Sequence, residues 1–237
     1  MHTQAGTTAQ MWVCELPVTP YREALALQEQ LRARRQRDEL PDTLLLLEHP
    51  PVYTRGRRSG GGELLFGEDF YRARGIEVLD CDRGGRLTYH GPGQLVGYPV
   101  MRIGDVGAYL RSMEGAIIAA LASEGVRARS RAQEGPDYTG VWVAQRKIAS
   151  IGVHVARAVT THGFAINVSN ELEPFSWVVA CGLADVAMTS LQGELRGGRA
   201  LDAGRFRARV AHEFCAAHGR LPLHVPRARI AVEEVAA

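Results

Sequence analysis

This sequence predicts an α+β fold: a single domain in which a mixed, mainly antiparallel sheet is flanked by helices. Three observations predict it. Short strand-like runs are joined by tight turns, helical stretches fall between them without a repeating βαβ pattern, and 237 residues, 46% hydrophobic and 23% charged, suffice to bury one core.

Thr19 and Pro20 read as N-cap and first helical position for residues 21–36, where Ala24, Leu27 and Leu31 recur on one face. On this reading a helix starts the domain, which occupies residues 11–220, with 1–10 and 221–237 as terminal extensions. Four consecutive leucines within residues 43–48, stopped by His49-Pro50-Pro51, fit a buried strand. Ser59-Gly60-Gly61-Gly62 is a loop, followed by a short helix at 68–74 and a strand at 76–79. Residues 83–100 hold two strand-like stretches separated by Gly91-Pro92-Gly93. Residues 105–123 are expected to be helical. A hairpin is expected from 141–144 and 147–155 about Gln145-Arg146, then a strand at 161–168 and a final helix at 200–218.

Composition excludes several classes. The net charge of +2 does not imply nucleic-acid binding. The run containing Arg32, Arg34, Arg35 and Arg37 reads as a solvated helix end, where cations are favoured, with docking of an acidic carrier protein as the alternative. The first ten residues hold neither an apolar signal core nor an Arg-rich transit segment, and no run reaches the roughly 18 apolar residues of a membrane span. A cytoplasmic protein is expected. Cys14, Cys81, Cys181 and Cys215 form no CxxC pair and no HExxH occurs, so neither a metal nor a disulfide framework is expected. The P-loop, dinucleotide and G-x-S-x-G patterns are also missing, and no cofactor is implied.

Three segments carry candidate chemistry. Gly84-Gly85 and Gly91-Pro92-Gly93 surround His90, and residues without Cβ let backbone approach a ligand, although two plain turns read equally well. Strand alternation puts Lys147, Ala149 and Ile151 on one face and Ile148, Ser150 and Gly152 on the other. A lysine on an apolar face is unusual, while a strand-start lysine reaching water is the plainer account. Cys181, in Val-Val-Ala-Cys-Gly-Leu, suits an element edge facing a cavity, or equally a small buried hydrophobe. His49 and His90 border the expected pocket loops. His154, His162, His212 and His218 have no partner at metal-ligand spacing.

Together these segments resemble the lipoyl(octanoyl) transferase family, the octanoyl-carrier-protein to protein acyltransferases of lipoate biosynthesis. The resemblance spans roughly residues 44–191 and is most specific over 83–99, 145–153, 162–168 and 180–190. It implies a fold similar to the catalytic domain of biotin and lipoate protein ligases. It also implies an acyl-thioester on Cys181, with Lys147 lowering that thiol's pKa. It implies a substrate pocket lined from three stretches: Arg83, Gly84, Gly85, Arg86, Leu87, Thr88, Tyr89 and His90; Ser150, Ile151 and Gly152; Gly163, Phe164 and Ala165. Octanoyl-acyl carrier protein would be the donor. Lipoyl domains of 2-oxoacid dehydrogenase E2 subunits and the glycine cleavage H protein would be acceptors. Ala180, where the family often has proline, and Met188, where a shorter branched residue is common, depart from the pattern and bear on local loop geometry.

Overall fold

The computed structural model describes residues 9–179, 186–195 and 199–231. The elements run β1 (Gln10–Val18), α1 (Tyr21–Gln36), β2 (Thr43–Glu48), β3 (Val52–Arg55), α2 (Glu68–Arg72), β4 (Glu77–Asp80), β5 (Thr88–His90) and β6 (Gln94–Val100). They continue with α3 (Val106–Ser123), β7 (Arg129–Ser130), β8 (Gly140–Val143), β9 (Arg146–Ala156), β10 (Val159–Asn167), α4 (Leu191–Glu194), α5 (Ala203–Ala217), β11 (Leu221–His224) and α6 (Arg227–Ile230). The larger sheet has the order β11-β1-β2-β6-β10-β9-β8-β7, and a smaller one the order β4-β3-β5. Pairing in the larger sheet is parallel from β11 to β2 and antiparallel from β2 to β7. This is the expected α+β architecture with a mixed, mainly antiparallel sheet.

The leucine run of β2 shows why the core forms where it does. Leu44 and Leu46 face α3 and α5, packing with Met113, Ile117, Phe206 and Phe214. Leu45 and Leu47 face the opposite way, toward Ala24 and Leu31 of α1. A strand covered on both faces has no use for polar alternation. The two stretches around Gly91-Pro92-Gly93 belong to different sheets: β5 pairs β3, whereas β6 pairs β2 and β10. That turn therefore bridges the sheets and opens a space between them.

Four local expectations change. A strand, not a helix, comes first: β1 lies inside the sheet between β2 and β11, and Glu15 and Pro17 mask its apolar pattern. The stretch taken as a tail supplies β11 and the fully buried Ile230. Pro20, not Thr19, is the N-cap of α1, and the Thr19 hydroxyl instead donates to the Pro17 carbonyl at 2.8 Å. The arginines ending α1 are paired as well as solvated, since Arg35 donates to the buried Asp42 at 2.8 Å and Arg34 to the Ile230 carbonyl at 3.2 Å.

Candidate active site

Between β6, β10 and β9 of the larger sheet and the segment 83–90 lies a cleft of about 590 Å³, open mouth included. Its lining includes Lys147, Ser150, Ile151, Gly152, Gly163, Phe164 and Ala165, together with Arg83, Gly85, Arg86, Thr88 and His90. Leu87 and Tyr89 do not line it; they pack with Tyr53, Tyr71 and Phe175 under the smaller sheet. Gly84 is spent on fastening, donating its N–H to the Val153 carbonyl at 2.9 Å.

Lys147 reaches the cleft through a bulge. β8 and β9 pair Val141 with Ala149 but Trp142 with Lys147, so Ile148 is an extra residue and the alternation slips by one. The expected grouping of Lys147 with Ala149 and Ile151 is thereby corrected. Ala149 packs in the α3–α5 core with Val141, Ile151 borders both that core and the cleft, and Lys147 shares the cleft with Ser150 and Gly152. Only 2% of Lys147 is exposed. Its Nζ lies 5.3 Å from the centroid of the Trp142 ring, a cation–π distance. The stem passes over Gly140, where a Cβ would stand 2.8 Å from the lysine Cε. Gly140 has φ 136°, a conformation side chains rarely adopt. The buried Glu114 of α3 holds this glycine, accepting its N–H at 2.9 Å, and is itself bound by Ser130 and Arg111. Nothing in the sequence pattern pointed to Glu114 beyond an acid on an otherwise apolar helix face.

Cys181 lies outside the described residues, as does the preceding Ala180. The described chain is hydrogen-bonded up to Val179 and again from Ala187. Val179 donates its N–H to the Glu63 carbonyl at 2.8 Å, beside a Leu64–Val178 bridge. Further on, Lys147 donates its N–H to the Ala187 carbonyl, and Thr189 donates to the Lys147 carbonyl, both at 2.9 Å. Side chains extend this tie: Asn167 Nδ2 donates to the Thr189 carbonyl at 3.0 Å, Gln94 Nε2 to Asn167 Oδ1 at 3.0 Å, and His90 Nδ1 to Gln94 Oε1 at 2.8 Å. Among the described cysteines, Cys14 and Cys215 are buried, and burial raises both thiols, Cys215 to about 11. Neither has the environment of a nucleophile.

The other end of the cleft was missed in the sequence. Tyr21, Tyr98 and His162 line it, and Arg58, Pro136, Asp137 and Thr139 complete the lining. His162 has φ 57°, a left-handed conformation uncommon for side-chain-bearing residues, and its ring meets that of His154 on Asp82. Its Nε2–H donates to Asp82 Oδ1 at 2.7 Å, its Nδ1 faces the Tyr21 hydroxyl at 3.4 Å, and its backbone N–H donates to Gln28 Oε1 at 2.6 Å. Behind it His49 bonds the Thr19 carbonyl at 2.6 Å and the Tyr98 hydroxyl at 2.7 Å. Burial lowers the pKa of His90, His162 and His49, the last to about 4, so all three are neutral at pH 7. The hydrogen bond from His162 holds Asp82 far below the usual carboxylate range. The signal available in the sequence was a histidine next to a glycine in a strand that also carries Thr160 and Thr161.

Among the described residues no group of histidine, cysteine and carboxylate side chains is arranged to hold a metal, and no helix is long and apolar enough to cross a membrane. Comparison with known proteins gives the family. Residues 20–215 match the family described as the lipoyl protein ligase A/B catalytic domain. An octanoyltransferase of Rubrobacter xylanophilus is 48% identical over 182 residues, covering 75% of this chain and 80% of that one. Another, of Thermobifida fusca, is 42% identical over 222 residues and covers 88% of both chains. The fold is similar to that of a bipartite lipoate protein ligase solved with its E2 lipoyl domain from Thermoplasma acidophilum, with a TM-score of 0.72, 16% identity, and coverage of 92% of this chain and 87% of that one.

Proposed function

The chain belongs to the lipoyl protein ligase A/B catalytic domain family, as an acyltransferase of its octanoyltransferase group, and we propose that Cys181 carries the octanoyl group between donor and acceptor with Lys147 as its proton partner. One observation carries the reading most directly: the segment following Cys181 is hydrogen-bonded to both backbone groups of Lys147. The two residues are 34 apart in the chain, and Ala187 and Thr189 lie only six and eight residues beyond the cysteine.

The reaction proceeds in two halves. Lys147 as an amine takes the Cys181 proton, and the resulting ammonium favours the thiolate. The thiolate attacks the carbonyl of an octanoyl thioester on acyl carrier protein. The C–S bond to the carrier breaks, and the departing thiolate takes the proton back from Lys147. Octanoyl-Cys181 and neutral Lys147 remain. The amine of the acceptor lysine then attacks the new thioester, an amide forms, and Lys147 receives the proton that the amine loses. Cys181 leaves as thiolate opposite an ammonium, the state from which the cycle began. A thioester is exchanged for an amide, so the transfer needs no ATP. Acceptors are lipoyl domains, including those of 2-oxoacid dehydrogenase E2 subunits and the glycine cleavage H protein, and the setting is cytoplasmic.

The remaining expected pocket residues have roles consistent with this chemistry. Arg83 is 7% exposed and donates to Thr54 O and Oγ1 at 2.5 and 2.8 Å, so it fixes the arch of residues 83–85 that roofs the acyl chain. Gly152 leaves backbone as the wall there, because a Cβ would stand 2.7 Å from the Gly84 carbonyl.

The test is intact mass after mixing the protein with octanoyl-acyl carrier protein. The native protein is expected to gain one octanoyl group and Cys181→Ala none. A Cys181→Ala protein that still gains it, or acylation that requires ATP and releases pyrophosphate, would overturn the proposal.

A further inference from the structure

Resting on the acyl-transfer reading, we propose that Tyr21, Tyr98 and His162 form the terminal wall of the acyl channel and set the length of the chain that is transferred, a medium-chain group of about eight carbons.

The channel has a direction. On β9 the cleft face runs from Lys147 through Ser150 to Gly152, and the next residue on that face, His154, has left the cleft to bind Asp82. The β8 register counts two strand steps from Lys147 to Ser150 once the bulge is discounted, and two more along β9 reach Gly152, about 13 Å in all. An extended acyl chain advances about 1.25 Å per bond from ordinary bond lengths and angles, giving about 9 Å for eight carbons and about 19 Å for sixteen. With the carbonyl beside Lys147, the shorter chain stops about 4 Å before the level of Gly152 and its partner Gly163, next to His162, which is one carbon–carbon contact from the wall, and the longer one overruns that level by about 6 Å.

The wall is built to stay in place. His162 is locked on three sides, through Nε2 to Asp82, through Nδ1 toward Tyr21 and through its N–H to Gln28. The Tyr98 ring meets His162 edge-on at 6.4 Å, and its hydroxyl is held by His49. Tyr21 stacks on His90 at 6.1 Å and is buried against Val52 and Leu79. The side chain at residue 162 is there at the expense of a left-handed backbone, which a glycine would adopt freely. Strain of this kind persists where the surrounding structure imposes it and clusters at functional positions. The wall is also uncharged, because burial keeps His162 neutral, and a neutral aromatic surface suits a terminal methyl where a cation would not.

The experiment compares Cys181 acylation of the full chain by pantetheine thioesters of six, eight, twelve and sixteen carbons, read by intact mass over time. The native protein is expected to prefer eight carbons and to exclude sixteen. His162→Gly removes the ring at a conformation glycine favours, and is expected to raise the twelve-carbon rate relative to the eight-carbon rate at least tenfold, since each methylene counts for about 10–200-fold in a fitted apolar pocket. Tyr21→Leu shortens the wall from the other side, keeps its apolar packing, and carries the same expectation if His162→Gly does not fold. Tyr21→Trp is expected to shift preference toward six carbons. Native protein acylated equally by all four lengths, or variants that are acylated with an unchanged ratio, would overturn the wall and leave the transfer reading standing. Native protein acylated by none of them would overturn both.

Discussion

At one end of the cleft a lysine is held by backbone: Lys147 lies over a glycine, and its own N–H and carbonyl are tied to the segment that follows Cys181. At the other end side chains hold side chains: His162, Asp82, Tyr21, His49 and Tyr98 close a hydrogen-bonded aromatic cluster. The difference follows from what each end must do. In the proposed mechanism Lys147 changes charge twice per turnover, and its backbone ties to the 187–189 segment fix the strand that carries it whatever that charge is. A wall must change nothing, and neutral, mutually bonded rings are suited to that.

Removing the amine should break the comparison most severely. Lys147→Ala is expected to lower the transfer rate about 10²–10⁴-fold, the usual contribution of a positioned acid–base group, with the fold intact by circular dichroism. Lys147→Arg should not restore it, because a guanidinium does not release its proton. Next in size, Gly140→Ala would place a Cβ 2.8 Å from Lys147 Cε and 2.4 Å from the Ala149 carbonyl at φ 136°. We expect destabilisation of about 1–3 kcal/mol in urea melts and a loss of activity near 100-fold from a misplaced amine.

The wall should be the end that responds to acid. His49, 0% exposed, has its pKa lowered by burial from an ordinary 6.5 to about 4. The unfolded chain therefore binds the proton first, and the neutral-form stabilisation is complete above about pH 6.5 and is lost as pH falls toward 4. At 1.36 kcal/mol per pK unit this is about 3 kcal/mol, seen as a falling urea midpoint between pH 7 and 4. His49→Gln should reduce that dependence, leaving the part due to the buried His90 and His162, and an unchanged slope would remove His49 from the account. Smallest is a control away from both ends. Asp105 caps α3 by accepting the Ala108 N–H at 2.6 Å, so Asp105→Ala should cost about 1 kcal/mol and leave transfer rates unchanged.

The same two ends differ in how legible they were in the sequence. Lys147 stood out as a lysine in an apolar strand, yet the face assigned to it was wrong, because a bulge at Ile148 depends on the partner strand and leaves no periodic trace. The leucines of β2 and the helix around residues 106–123 were visible because their patterns are local and long. β1 was not, since Glu15 and Pro17 break its apolar pattern and its burial depends on two parallel neighbours distant in the chain. The wall was hidden for a further reason. Tyr21, Tyr98 and His162 come from three elements and became a site only through long-range hydrogen bonds and a left-handed residue that side-chain identity did not announce.

The central claim is that the lysine end works through a covalent intermediate competent in both directions of the exchange. The most direct measurement isolates protein acylated by octanoyl-acyl carrier protein, maps the group, and then adds a lipoyl domain without ATP or donor. The account predicts octanoyl on Cys181 that moves quantitatively to the acceptor lysine as an amide. An adduct at another residue, or one on Cys181 that the acceptor leaves untouched, would contradict it.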